Sequence, residues 1–285
     1  MPDKLVVVPR FGDVTLAMIS WKAHATVQHT LASYQTAGIL DLFGAKKIHF
    51  NEISGADREI AGRFGFDYSG TPGNVGIFGA VDAIAATVTV PYILSLENDC
   101  PLVTGREGLV EMLGSALHDM ALFDVPVFLM RSRRQPGEPF WRRARYEERF
   151  RPVWPLGTDA SHRQPMTNIV QRAYEDIRRN SLRGSAIYAE EDPTLRHPGV
   201  IKKSPHGNWL TNSRHLNWSN CCVLVRTDFL RDVVLERVRR FPALSTLNGH
   251  QDIEAALKVN GWWRRQHFPM GQSEPGPFTH QRLDR

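Results

Sequence analysis

Between Val14 and Met130, short apolar runs rich in β-formers alternate with stretches of helical periodicity, and few folds accommodate that order. VTLAMIS (14–20), KKIHFNE (46–52), GFDYSG (65–70), PYILSLE (91–97) and VPVFLM (125–130) read as strands. HATVQHTLASYQTAG (24–38) places Val27, Leu31 and Tyr34 at helical spacing and stops at Gly38, a common helix C-cap residue. Ser54 offers an N-cap for a helix over 55–64. NVGIFGAVDAIAAT (74–87) reads as a helix with small residues on one face, and 106–122 as an amphipathic helix. Regular alternation of this kind predicts an α/β fold with a mostly parallel sheet flanked by helices, whose ligands bind beyond the carboxyl ends of the strands.

The fourth strand ends in an unusual way: YILSLENDC runs from apolar residues straight into Glu97, Asn98 and Asp99. Carboxylates at the tip of a buried strand are costly unless water, a metal ion or a ligand meets them. Other features bound the class. At 285 residues and 42% hydrophobic, the chain has ample material for a globular core. It has no apolar run near the roughly 18 residues needed to span a bilayer, and MPDKLVVVPRFGD does not read as a secretory signal. Three cysteines, two of them adjacent at 221 and 222, make no disulfide framework and read as buried small hydrophobes. Cytoplasm is the expected compartment, with peripheral attachment to a membrane-bound assembly at its inner face compatible with this reading.

The net charge of +5 is concentrated in residues 131–151, RSRRQPGEPFWRRARYEERFR, where eight Arg face three Glu with aromatics interleaved. Such a stretch suits nucleic acid, an anionic glycan or phosphate, or else is a solvated helix whose Arg and Glu pair with each other. The segment from 131 to about 217 is Arg-, Pro- and polar-rich, with helical pattern at 165–180, and reads as an insertion on the ligand side of the sheet. Beyond it, NWSNCCVLVR (217–226) reads as a strand, TDFLRDVVLERVRRF (227–241) as a helix capped by Thr227, and HQDIEAALKVNGWW (250–263) as a further helix. The tail QSEPGPFTHQRLDR reads as loop.

Several of these pieces together resemble the GT-A glycosyltransferases, and within them the large inverting family 2. ISWKAHATVQHTLASYQTAG is similar to that family's first strand, nucleotide-facing turn and helix. KKIHFNEISGADRE is similar to its second strand, and GNVGIFGAVDAIAATVTVPYILSLENDC to the Asn-x-Gly helix start, small-residue helix and strand ending in the DXD motif. NGHQDIEAALKVNG is similar to the helix that bears the catalytic base, and GPFTH to a C-terminal metal-binding loop. The resemblance covers about 14–130 and 217–282. Four positions depart from the family pattern: Glu97 for the first Asp of the motif, Asn51 and Asp82 in place of Asp and Asn, and Gln251 before the base.

The resemblance implies a single GT-A domain over 1–285. Residues 1–130 would bind the nucleotide sugar, 131–216 form an acceptor-side insertion, and 217–285 carry the base and the C-terminal loop. It implies Mn2+ or Mg2+ held by Asp99 and His280, with Glu97 and Asn98 beside it. Ser20, Trp21, Lys22, Asn51 and Glu52 would line the nucleotide pocket, and the helix start at Asn74 and Gly76 would present backbone N–H groups to an anion. Asp252 is the implied general base, with Glu254 its rival two residues away on another face of the helix. The implied partners are a nucleotide-sugar donor, a UDP-sugar by preference, and a glycan acceptor, anionic if Arg133, Arg134, Arg142 and Arg143 read it. Trp154, Trp209 and Trp218 would offer faces to its sugar rings, and no nucleic acid is expected. Three alternatives stay open: a nucleotidyltransferase of similar sheet order, though SWKAHAT lacks that class's glycines; a retaining transferase of the same fold; and a nucleic-acid-binding protein using 131–151.

Overall fold

The structure is a computed structural model that describes residues 11–138, 140–150, 179–244 and 246–284; Trp154 and most of the helix expected at 165–180 lie outside them. Its centre is strand β1 (Phe11–Trp21), in which every residue from 14 to 20 is buried. A strand buried on both faces can run as a continuous apolar stretch, which is how this one reads. It pairs in parallel with β2 (Phe43–Asn51) on one side and with β4 (Tyr92–Glu97) on the other, and β3 (Asp67–Thr71) closes the edge beyond β2. The remaining strands are β5 (Val127–Leu129), β6 (Lys202–Lys203), β7 (Trp209–Asn212), β8 (Val223–Arg226) and β9 (Pro269–Gln272). Among the described residues these nine strands form one sheet in the order β3-β2-β1-β4-β8-β5-β9-β7-β6.

Only β7 and β8 oppose the common strand direction, so the expected α/β, mostly parallel sheet is found. Helices α1 (His24–Thr36), α2 (Gly55–Phe64) and α4 (Arg106–Leu122) contribute to the core cluster on one face. Helix α3 (Gly76–Ala85) contributes to the other, with α6, a continuous helix over 227–240 whose middle, Leu230–Leu235, widens to π-type spacing. Local chemistry fixes the ends. Gly38 follows α1 at φ +64°, and Ser54 and Asp57 form a reciprocal capping box at α2.

Four expectations change. Thr227 does not cap α6; its hydroxyl donates to the Val90 carbonyl at 2.7 Å, tying the helix start to the turn that leads into β4. The strand expected over 217–226 begins only at Val223, because Cys222 has φ +56° and breaks the extended run. The expected helix over 250–263 is α7 (Ile253–Lys258), then a 3-10 turn with Asn260 in the left-handed region, then α8 (Trp262–Gln266). The tail expected as loop from Gln272 shares that residue with β9, a strand the sequence reading did not foresee, seated inside the sheet between β5 and β7. Its Gly271 lies where a Cβ would come within 2.0 Å of the Phe128 ring, so this strand depends on a residue with no side chain.

The insertion adds β6 and β7 to the sheet and encloses a small core of its own. Tyr146 of α5 (Trp141–Phe150), Ile187, Tyr188, Ile201 and Trp209 pack there. Buried Asp119 of α4 accepts from Ser204 Oγ at 2.6 Å and Asn208 Nδ2 at 2.7 Å, and pairs with His206 Nδ1 at 2.7 Å, anchoring the β6–β7 turn. Among the described residues no helix is long and apolar enough to cross a membrane.

Candidate active site

The carboxyl ends of β1, β2 and β4 share one edge of the sheet: Ile19 is in register with Glu97, and Trp21 with Asn51. Asn98 Nδ2 donates to Ser20 Oγ at 3.2 Å, which joins the ends of β4 and β1. Past β4 the chain turns, and Glu97, Asp99 and His280 bring ligand atoms within 4.8 Å of one another. Asp99 is buried, and its Oδ2 lies 3.1 Å from His280 Nε2. The other ring nitrogen, Nδ1, lies 2.8 Å from the Glu138 carbonyl.

His280 reaches this place because its loop is laced to the β4 turn. The Gln281 N–H donates to the Asp99 carbonyl at 2.7 Å and the Thr279 N–H to that of Pro101 at 3.0 Å. Phe278 is fully buried, edge-on to Tyr34 with ring centroids 5.9 Å apart. Gly137 passes so close that a Cβ there would meet the His280 carbonyl at 2.0 Å.

The electrostatics are those of a site short of positive charge. Burial, and then the charge of Asp99, push the Glu97 carboxyl well above the usual carboxylate range. At His280 burial alone would depress the imidazole, but the hydrogen bond and charge of Asp99 outweigh it and hold the pKa at about 9. Two carboxylate oxygens and an imidazole nitrogen are a donor set that a hard divalent cation accepts, Mn2+ better than Mg2+ because of the imidazole. The residues present therefore fit the implied metal.

Facing this centre from β8's side, Asn220 precedes the strand and holds two carboxylates at once. Its Nδ2 donates to Asp252 Oδ1 at 2.8 Å, and its backbone N–H donates to Glu254 Oε1 at 3.2 Å. Asp252 is the N-cap of α7, with Oδ2 accepting from the Ala255 N–H at 3.0 Å. Glu254 also pairs with Lys258 at 3.2 Å, and its charge reaches Glu97. Asn220 was not foreseen; an amide interrupting the apolar NCCVLV run was the available signal.

The residues expected to line a nucleotide pocket are gathered at the same edge, and several have partners within the protein. Lys22 and Glu52, both at positive φ, form an ion pair, and Lys22 holds the Glu52 carboxyl below its ordinary pKa. Trp21 Nε1 is buried without a hydrogen bond of normal geometry. Asn51, by contrast, is committed internally. Its Oδ1 accepts from the Val75 N–H at 3.1 Å, and Asn74 Oδ1 accepts from the Gly76 N–H at 2.8 Å. The N–H groups of 75 and 76, expected to face an anion, are thus satisfied by side chains of the protein. Gly76, at φ +71°, lets His250 approach where a Cβ would lie 2.4 Å from the His250 Cβ.

The insertion also departs from expectation. Trp209 and Trp218 are core residues; Trp209 Nε1 donates to Glu274 and Trp218 packs edge-on to Trp263. Arg133 pairs with Glu274 at 2.6 Å, Arg142 donates to the Trp218 carbonyl at 2.5 Å, and Arg143 pairs with Glu147 at 2.9 Å. Of the four arginines assigned to an acceptor, only Arg134 keeps a side chain mostly exposed, at 77%.

No protein-family model matches the chain, and no curated protein does. Solved structures do. S. aureus TarS 1-349 is 11% identical, with 94% of this chain and 60% of that chain covered and a TM-score of 0.46. A mannosyltransferase from Pyrobaculum calidifontis, in complex with GDP-Man and Mn2+, is 11% identical over 43% of this chain and 36% of that one, TM-score 0.36. Glucosyl-3-phosphoglycerate synthase from Mycobacterium tuberculosis, in complex with Mn2+ and UDP-glucose, is 10% identical over 41% and 42%, TM-score 0.33. The chain spans 36 to 60% of the length of these solved chains.

Proposed function

We propose that the chain is an inverting glycosyltransferase that moves a sugar from a nucleotide sugar, a UDP-sugar by preference, to a hydroxyl of a glycan acceptor. The observation that carries this is the convergence of Glu97, Asp99 and His280 at the carboxyl end of β4, where a mostly parallel sheet offers its ligand edge. In this reading residues 1–130 hold the donor, 131–216 flank the acceptor, and 217–285 carry the base and the His280 loop. The site is of DXD type, with polysaccharide or glycoconjugate synthesis as its setting and the cytoplasm, at most peripheral to a membrane, as its place.

Asp99 and His280 would hold the divalent ion, with Glu97 directing the ribose or an ion-bound water. Bound there, the ion would offset the negative charge that develops on the leaving diphosphate. The protein's own residues do the rest. Trp21 and the Lys22–Glu52 pair would border the nucleoside, and Ser20 and Asn98 would fix the turn that presents Asp99. Asp252 would take the acceptor proton as the acceptor oxygen bonds to the anomeric carbon and the bond to the diphosphate breaks. Its position at a helix N-cap, where Oδ2 accepts from the Ala255 N–H, keeps the carboxylate oriented.

Asp252→Asn and Glu254→Gln decide the assignment of the base. We expect Asp252→Asn to lower kcat by 100-fold or more, a loss of about 2.7 kcal/mol of transition-state stabilisation, with the donor KM little changed. Glu254→Gln should lose less. NMR of the product should report an inverted anomeric centre; full activity of Asp252→Asn with retained configuration would assign the retaining alternative.

A further inference from the structure

Behind the carboxylate centre, three sulfurs meet. Cys221 Sγ lies 3.2 Å from the sulfurs of both Cys100 and Cys222, and all three ligand atoms fall within 4.8 Å of one another. All three residues are buried, and no disulfide joins them. We infer that Cys100, Cys221 and Cys222 form a second cation site, selective for a thiophilic d10 ion of the zinc kind and next to the carboxylate–histidine centre, with Cys100 Sγ 3.8 Å from Asp99 Oδ1.

The backbone supports this more strongly than proximity does. Adjacent residues in an extended chain send their side chains to opposite faces. Cys221 and Cys222 are adjacent and enter β8, yet both sulfurs point to Cys100, because Cys222 sits at φ +56° in the left-handed region. A non-glycine residue held there is a strained arrangement, of the kind found where function over-determines the backbone. The strain brings a third sulfur to the point where Cys100 and Cys221 already meet. A disulfide uses two sulfurs and has no use for the third; a thiolate-bound ion uses all three.

The dimensions agree. With a zinc–sulfur distance of about 2.3 Å and tetrahedral angles, sulfurs on one ion lie about 3.8 Å apart, so the 3.2 Å contacts need only a small opening to admit it. Thiolates prefer zinc or cuprous ions, while oxygen and imidazole donors suit Mn2+ and Mg2+, so two neighbouring sites in one chain would take different metals. Burial pushes the Cys100 and Cys222 thiols well above their ordinary pKa, so an ion would have to displace their protons, with the nearby charge of Arg131 offsetting part of that cost at Cys222.

The ion's place gives it a role. Cys100 follows Asp99, and its carbonyl accepts from Tyr34 Oη at 2.6 Å. Cys221 follows Asn220, which holds Asp252 and Glu254. An ion on the three thiolates would staple the turn carrying the donor-side carboxylate to the segment orienting the acceptor-side carboxylates. It would set the separation between them without touching either substrate.

The test reads metal binding rather than activity, so it stands whether or not the transferase reading does. The full chain, reduced and freed of metal by chelator, is titrated with Cd2+ in the presence of excess Mn2+. The proposal predicts sulfur-to-cadmium charge-transfer absorption that saturates at a single ion per chain and is displaced by Zn2+. The absorption should vanish in Cys100→Ser and in Cys221→Ser and persist in Glu97→Gln. Circular dichroism of the serine variants checks their folding, and the wild-type titration alone decides if they do not fold. No charge-transfer band from wild-type protein whose thiols are all reduced would overturn the proposal. So would a band that survives both serine variants, or a native disulfide between any two of these cysteines in freshly isolated protein.

Discussion

Glu97 is the residue at which stability and the proposed chemistry pull apart. Its carboxyl is pushed up by burial and by Asp99, so without a cation the ionised form is a destabilising group. Glu97→Gln removes that charge while keeping the shape. It should raise the thermal midpoint of the metal-free protein by about 2–4 °C for each kcal/mol gained, and weaken Mn2+-dependent donor binding. A differential scan beside a binding titration checks both halves, and a variant that loses stability and keeps donor binding would show that Glu97 is merely structural. His280 gives the complementary pH prediction. Its folded pKa of about 9 lies above the ordinary 6.5, because it gains Asp99 as partner. Stability from that pair is therefore complete below about pH 6.5 and is lost as pH rises through 9. The dependence should flatten in His280→Gln. A ligand imidazole must be neutral, so Mn2+ binding should release a proton and tighten with pH across the same window.

At the scale of elements, the sequence made the N-terminal half legible and the C-terminal half much less so. β1 announces itself because a central strand of a parallel sheet is apolar on both faces, β4 by its apolar run, and α1, α2 and α4 because their apolar spacing is local, with α2 also carrying its own capping box. β9 gave no signal: PMGQ is a strand only because Phe128 packs over Gly271 and β7 pairs with its other side, both contacts distant in sequence. The same holds for Arg133 and Arg142, whose partners Glu274 and the Trp218 carbonyl lie far along the chain, whereas Arg143 pairs locally with Glu147. Within the site, Asp99 was legible from its strand end, whereas Asn220 and the role of Asn51 depended on contacts across the fold. One junction between elements is sharply testable. Gly76 opens α3 at φ +71° against His250, two residues before Asp252. Gly76→Ala should cost about 2–4 kcal/mol from the left-handed strain and the forced shift of His250. It should also lower kcat through the displaced α7 start, whereas an unchanged midpoint in chemical denaturation would show that the two segments yield freely.

On the scale of the whole molecule, the continuous sheet carries the argument. β4 delivers Glu97 and Asp99, the segment entering β8 delivers Asn220, and the strand β9 feeds the loop that returns His280 to Asp99. Three regions far apart in sequence thus meet at one edge, and the loop bearing His280 is already fastened there by the Thr279 and Gln281 N–H groups. A ligand that bridges them should stabilise the entire fold, by about 2.7 kcal/mol at a hundred times its Kd. The most direct test is calorimetric titration of UDP, then GDP, with and without Mn2+, on the wild type and on Asp99→Ala. The proposed function requires Mn2+-dependent binding of one nucleotide, UDP by preference, abolished in Asp99→Ala. Binding of neither nucleotide under any metal condition, or binding that Asp99→Ala leaves intact, would contradict it.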